Sequence, residues 1–176
     1  SLFQMAAESP ERIQRMRTFL PLGDGFNYLL SGVAKAEISL ASTTQLYNPR
    51  TRNWSDKLLE AFDWPRAKFP ELIPSGTRLG TLNPELAAAS GLGEIEVLAT
   101  CSHDTGAAVA AVPADGDQWA YLSSGTWSLI GVELPEPIIN DAARDLNFTN
   151  EIGHGNTVRL LRNIIGLWLV QECRRE

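Results

Sequence analysis

Between residues 95 and 112 the chain passes from a short apolar segment, Ile95 to Ala99, through the polar stretch Cys101-Ser102-His103-Asp104-Thr105, into Gly106 to Val112, where every side chain is small and apolar. The first segment has the length and character of a short buried strand. The last suits a helix lying close against a sheet, because glycine, alanine and valine leave little between one backbone and its neighbour. A strand turning directly into such a helix constrains the chain to layered strands and helices, α/β or α+β in class.

The flanking pattern agrees with mixed architecture. Ser9-Pro10-Glu11 predicts a helix start, with Ser9 as N-cap and Pro10 where its missing N–H costs nothing. A second short helix is expected from Gly25 to Leu30, closed at Ser31-Gly32, and a third carrying Trp54, Leu58, Leu59 and Phe62 on one face. Pro65, Pro70, Pro74, Gly76 and Gly80 predict an irregular connector. Beyond it, Pro84 to Ser90 reads as a helix capped by Gly91. Trp119 to Ser123 and Thr126 to Glu133 read as strands joined at Ser124-Gly125, and Leu146 to Glu151 as a further strand. From Asn156 to Glu176, the spacing of Leu160, Leu161, Ile164, Ile165, Trp168 and Leu169 predicts one long helix, with Asn163 and Gln171 two turns apart on it.

With 44% hydrophobic and 20% charged residues, the 176-residue chain has the composition of a globular protein with a packed core. Its net charge of -6 argues against a nucleic-acid or anionic-membrane surface. Cys101 and Cys173 stand far apart without metal-ligand spacing, which predicts reduced, buried thiols and a cytoplasmic setting. The start at Ser1-Leu2-Phe3-Gln4, and a last helix reaching Glu176 without a stop signal, are expected of a fragment. The five tryptophans are expected in the core or at its rim.

Chemistry concentrates in two places. Asp104 stands where a strand ends and a helix begins, a position at which a carboxylate caps helix N–H groups and at which α/β proteins also collect ligands. Ser102, His103 and Thr105 surround it. Ser123, Ser124, Gly125, Thr126 and Ser128 place hydroxyls and a bare backbone around one turn, which suits phosphate oxygens met by neutral donors. His103 and His154 lack carboxylate or thiol partners at ligand spacing, so no protein-built metal site is expected.

Four ordered segments, Ser102-His103-Asp104-Thr105, Ser123-Ser124-Gly125-Thr126-Trp127-Ser128, Asn147-Phe148-Thr149-Asn150-Glu151 and Gly166 to Arg174, resemble the FGGY carbohydrate kinases. A weaker likeness runs upstream through Pro21 to Gly32 and Ala41-Ser42-Thr43-Thr44-Gln45-Leu46. The resemblance implies a two-lobed, ribonuclease-H-like and actin-like α/β fold only partly covered here, with 1–106 as the latter part of the sugar-binding lobe and 107–176 as the beginning of the ATP-binding lobe. It implies Asp104 as catalytic base, His103, Thr105 and Asn163 beside it at the sugar, and Ser124, Gly125, Thr126 and Gln171 at the nucleotide. It implies ATP and Mg²⁺ as cofactors and phosphorylation of L-rhamnulose at its 1-hydroxyl, the alternatives being a kinase of another deoxyketose or pentulose and a catalytically silent sugar-binding fragment. Two departures, Gly106 where relatives often carry Ala and Ser39-Leu40 before Ala41, are read as remote from the chemistry. The family's phosphate-binding Asp-x-Gly hairpin and glycine-rich adenosine site are not in these 176 residues.

Overall fold

A computed structural model describes residues 2–175. Helices α1 (Leu2–Glu8), α2 (Pro10–Arg15) and α3 (Leu22–Ser31) lead into β1 (Ala36–Glu37) and the single turn of α4 (Ile38–Ala41). After a 3-10 turn come β2 (Tyr47–Asn48), β3 (Asn53–Trp54), α5 (Asp56–Ala61), β4 (Leu72–Ile73), β5 (Arg78–Thr81), α6 (Pro84–Ser90), β6 (Glu96–Leu98) and α7 (Asp104–Ala110). The remainder is β7 (Tyr121–Ser124), β8 (Trp127–Leu134), α8 (Asp141–Asp145), β9 (Thr149–Ile152), β10 (Val158–Ile165) and α9 (Trp168–Arg175).

The mixed class expected from the sequence is what forms, with short strand pairs in the first half and a larger sheet in the second. β1 pairs with β4 in parallel, while β2 with β3 and β5 with β6 make antiparallel pairs. The second half is a four-stranded antiparallel sheet in the order β7-β8-β10-β9. Its first two strands are the predicted hairpin, turning at Gly125-Thr126 with Ser124 opposite Ser128. α6 forms as expected, its Asn83 side chain accepting from Glu85 N and Gly91 closing it at φ 69°, a left-handed position that glycine occupies without strain. α3 ends likewise at Gly32.

Several expectations fail for physical reasons. The long C-terminal helix does not form: Val158–Ile165 is a strand, and only Trp168–Arg175 is helical, Glu176 lying outside the described residues. The apolar pairs Leu160-Leu161 and Ile164-Ile165 fit a helical stripe and a buried strand alike. Eight consecutive partners on β8 and four on β9 decide for the strand. Gly166 then breaks the chain direction, and a Cβ there would lie 2.5 Å from the Gly125 carbonyl oxygen. Trp54 belongs to β3 rather than to the helix after it, because it pairs with Tyr47 of β2, and its indole Nε1 donates to Pro70 O at 2.7 Å. The connector after Pro65 is partly regular, since β4 and β5 both lie within it. Ser9 makes no side-chain cap. Cys101 is half-buried and Cys173 is exposed, as no residue of α9 is buried.

Trp54, Trp64, Phe69, Leu59 and Ile13 make one core, with Phe19 against it. Trp119 packs beside a smaller cluster of Val109, Tyr121 and Leu161, whereas Trp127 and Trp168 are largely exposed. A further cluster joins the two halves, Ile38 and Tyr47 meeting Ile152 and Val158. Among the described residues no helix is long and apolar enough to cross a membrane.

Phe69 is 2% exposed and its ring lies 5.4 Å from Phe19 and 5.5 Å from Trp54. Phe69→Ala is expected to lower unfolding free energy by about 3–5 kcal/mol through lost burial and the cavity left behind, read as a shift of the urea midpoint at unchanged slope.

Candidate active site

The two chemical segments meet. His103, Asp104, Thr105, Ser123, Ser124, Gly125, Thr126 and Asn163, with Trp127 and Leu129, line a single open cavity of about 510 Å³. The Asp104 side chain is 94% exposed there. The residue in the N-cap position is His103, so Asp104 is the first residue of α7 rather than its cap. Its Oδ1 accepts the Thr105 N–H at 2.6 Å, which fixes the carboxylate at the start of the helix. A carboxylate at a helix N-terminus is favoured by the helix dipole.

The serine turn lines the same cavity. Ser128 Oγ donates to Ser124 Oγ at 3.3 Å, and Gly125 N–H donates to the Trp127 carbonyl at 2.9 Å. The carbonyls of Gly125 and Thr126 accept the amides of Leu167 and Trp168 at 2.9 and 3.2 Å. Two of the amides at the start of α9 are therefore bonded to the turn. No lysine or arginine lines the cavity among the described residues.

Asn163 reaches the cavity from β10, whereas Gln171 is exposed on α9 and does not line it. The expected alignment of these two amides on one helix is thus replaced by a strand and a helix on either side of Gly166.

What holds Asp104's turn in place is not visible in the sequence. Glu37 is completely buried, and its carboxylate accepts from Ser39 N–H at 3.0 Å, Leu40 N–H at 3.3 Å, Ser75 Oγ at 2.6 Å, Ser102 N–H at 3.1 Å and the Ser39 hydroxyl. Ser39 Oγ in turn accepts the His103 N–H at 3.2 Å. From the other side, Arg159 of β10 is fully buried and places Nη2 2.8 Å from His103 Nδ1 and 3.0 Å from Glu151 Oε2. The two departures read as remote are close to this machinery: Ser39 holds His103, and a Cβ on Gly106 would lie 2.8 Å from Cys101 Sγ and 3.3 Å from Arg159 Nη2. Glu151 stands in one of the segments the sequence singles out, but its partner lies on a strand whose spacing reads as helix.

Beneath Glu37 sits Asp24, 1% exposed, whose Oδ1 accepts the Glu37 N–H at 3.0 Å while Oδ2 is buried without a partner. Burial pushes its carboxyl up to about 6, the Glu37 N–H opposing and the Glu37 charge adding to the rise.

Comparison with known proteins places the chain in a family. Residues 4–111 match the model of the FGGY family of carbohydrate kinases, N-terminal domain. The chain belongs to the FGGY family of carbohydrate kinases. It is 47% identical over 156 residues to a rhamnulokinase of Bacteroides thetaiotaomicron, covering 89% of this chain and 32% of that protein. It is 42% identical over 176 residues to a rhamnulokinase of Bacillus subtilis, covering 100% of this chain and 36% of that one. The chain thus spans about a third of the length of these relatives. The fold matches a xylulose kinase from Rhodospirillum rubrum (TM-score 0.77, 18% identity, 99% of this chain and 36% of that one). It also matches Plasmodium falciparum glycerol kinase with ADP (TM-score 0.76, 15% identity, 97% and 36%). The fold is that of this kinase family, represented in part.

A carboxyl raised from 3.8 to about 6 on folding favours the folded state fully below pH 4 and loses that contribution as pH rises through 6. Stability is expected to fall by about 3 kcal/mol across that interval on account of Asp24, each tenfold change in proton affinity being worth ~1.4 kcal/mol. Asp24→Asn should flatten the dependence, measured as unfolding midpoints from about pH 4 to 7.5.

Proposed function

We propose that these residues serve an ATP-dependent kinase that phosphorylates L-rhamnulose at its 1-hydroxyl. The observation that carries the reading is the shared cavity, which one exposed carboxylate and a turn of hydroxyls line together. The names of the similar proteins from Bacteroides thetaiotaomicron and Bacillus subtilis support the choice of sugar.

Asp104 is the base in this reading. Its carboxylate hydrogen-bonds the attacking hydroxyl, aligns it with the terminal phosphoryl group and accepts its proton as the new O–P bond forms and the bond to the departing ADP oxygen breaks. His103, Thr105 and Asn163 contact the sugar. Ser124, Gly125 and Thr126 meet the phosphates, and Gln171, outside the cavity, is assigned to the nucleotide. Ordering donors before the reaction lets them stabilise developing charge without reorganisation. The cavity wall built by this chain is short of cations, and Mg²⁺ bound with the nucleotide would supply the positive charge that phosphoryl transfer requires. Residues 1–106 form the latter part of a sugar-binding lobe and 107–176 the beginning of an ATP-binding lobe. The setting is cytoplasmic, and the partners are the sugar and ATP rather than nucleic acid or membrane, in keeping with the net charge of -6.

In a polypeptide of the relatives' full length carrying these residues, Asp104→Asn is expected to lower kcat by about 10²–10⁴-fold while changing the sugar KM far less. Near-normal turnover would remove Asp104 as base. In a coupled ADP-release assay across a panel of ketoses, L-rhamnulose should give the highest kcat/KM. A higher value with a pentulose or another deoxyketose would reassign the substrate. The 176-residue chain alone should show no turnover, since the family's Asp-x-Gly hairpin and adenosine site are not in it.

A further inference from the structure

We infer that Arg159 fixes the ring proton of His103 on Nε2, so that His103 enters the cavity as a hydrogen-bond donor and Asp104 is left as its base. The chemical consequence rests on the kinase reading above, whereas the position of the proton does not.

His103 is mostly buried, its side chain 19% exposed, with Arg159 of β10, Glu151 of β9 and its own neighbour Asp104 as the charged groups around the ring. Arg159 Nη2 stands 2.8 Å from Nδ1 and 3.0 Å from Glu151 Oε2, and Nδ1 is 3.2 Å from the same oxygen. A guanidinium has donors and no acceptor, and it keeps its charge in proteins. At 2.8 Å its contact with Nδ1 is a hydrogen bond only if Nδ1 offers a lone pair, for a proton there would set two donors against each other. Glu151 alone would pull the other way, because a carboxylate beside Nδ1 invites an Nδ1–H. The shorter contact and the permanent charge decide between them. Nη2 carries two hydrogens, one for each acceptor, and the guanidinium meets the Glu151 charge without help from the ring.

An imidazole that accepts at Nδ1 carries its proton on Nε2. Nε2 lies 3.6 Å from Asp104 Oδ1, beyond hydrogen-bond distance, so this N–H is available to a ligand oxygen. Taking a hydroxyl proton would require the ring to release its lone pair from Arg159 and become a cation beside it. The proton of the attacking hydroxyl therefore goes to Asp104, while His103 donates to a substrate oxygen. Arg159 and Glu151 act through His103 and are positioning residues.

The chain contains two histidines, and His154 is exposed, so long-range ¹H–¹⁵N correlation of the ¹⁵N-histidine-labelled chain gives two ring patterns, with His154→Gln identifying that of His103. At neutral pH, His103 Nδ1 is expected in the unprotonated range and Nε2 in the protonated range. A proton on Nδ1, protons on both nitrogens, or a tautomeric average would overturn the inference. Arg159→Met should move the proton to Nδ1, where Glu151 accepts it, and Glu151→Gln should leave it on Nε2. If Arg159→Met does not fold, the unsubstituted chain and Glu151→Gln still decide the outcome. Should Asp104→Asn retain turnover while the Nε2–H pattern is seen, the proton's position stands and the kinase assignment of Asp104 falls.

Discussion

A carboxylate shut away from water must be met by donors, and Glu37 is met by five of them on four residues drawn from three separate stretches of chain. Two donors are the backbone amides at the start of α4, two are serine hydroxyls, and one is the amide of Ser102, two residues before Asp104. Losing any one would leave a buried charge short of a partner, a penalty that makes such a network all-or-none. The strand that carries Glu37 is only two residues long, and the carboxylate and Ser39 tie the amides of Ser102 and His103 to it directly.

The second half takes hold of the same turn by different chemistry. Arg159, with none of its side chain exposed, bonds the His103 ring and the Glu151 carboxylate at once. An arginine buried so completely is stable only where its charge is paired, and here the pairing also sets where the imidazole lies. Beside it Ile38 and Tyr47 pack against Ile152 and Val158, closing the seam with apolar contact. The cavity wall is accordingly assembled from α7, the β7–β8 turn and β10, each braced from behind.

Asp104 and the serine turn are legible in the sequence because each is a dense polar stretch within apolar surroundings, and both fall where a strand ends. The hairpin around Gly125 is readable for the same reason, since a glycine between alternating segments has few uses. β10 is not readable: its paired leucines and isoleucines satisfy two periods, and only the register with β8 distinguishes them. The helical reading puts Asn163 on the wrong element and beside Gln171. The roles of Glu37, Ser39 and Arg159 in holding the Asp104 turn escape notice because the residues of that turn they bond stand 65, 64 and 56 positions away along the chain. Local spacing holds no trace of such pairs, although a lone arginine or glutamate inside an apolar strand is a hint that a buried counterpart exists.

A short stretch of backbone gripped from both sides has little freedom to shift alone. Ser102 and His103 are tied through their amides to Glu37 and Ser39, and the His103 ring is tied to Arg159, so moving this turn means breaking bonds to buried partners on either side. The residue that follows inherits that restraint, and Asp104 stands in the open on a stem that is itself locked down.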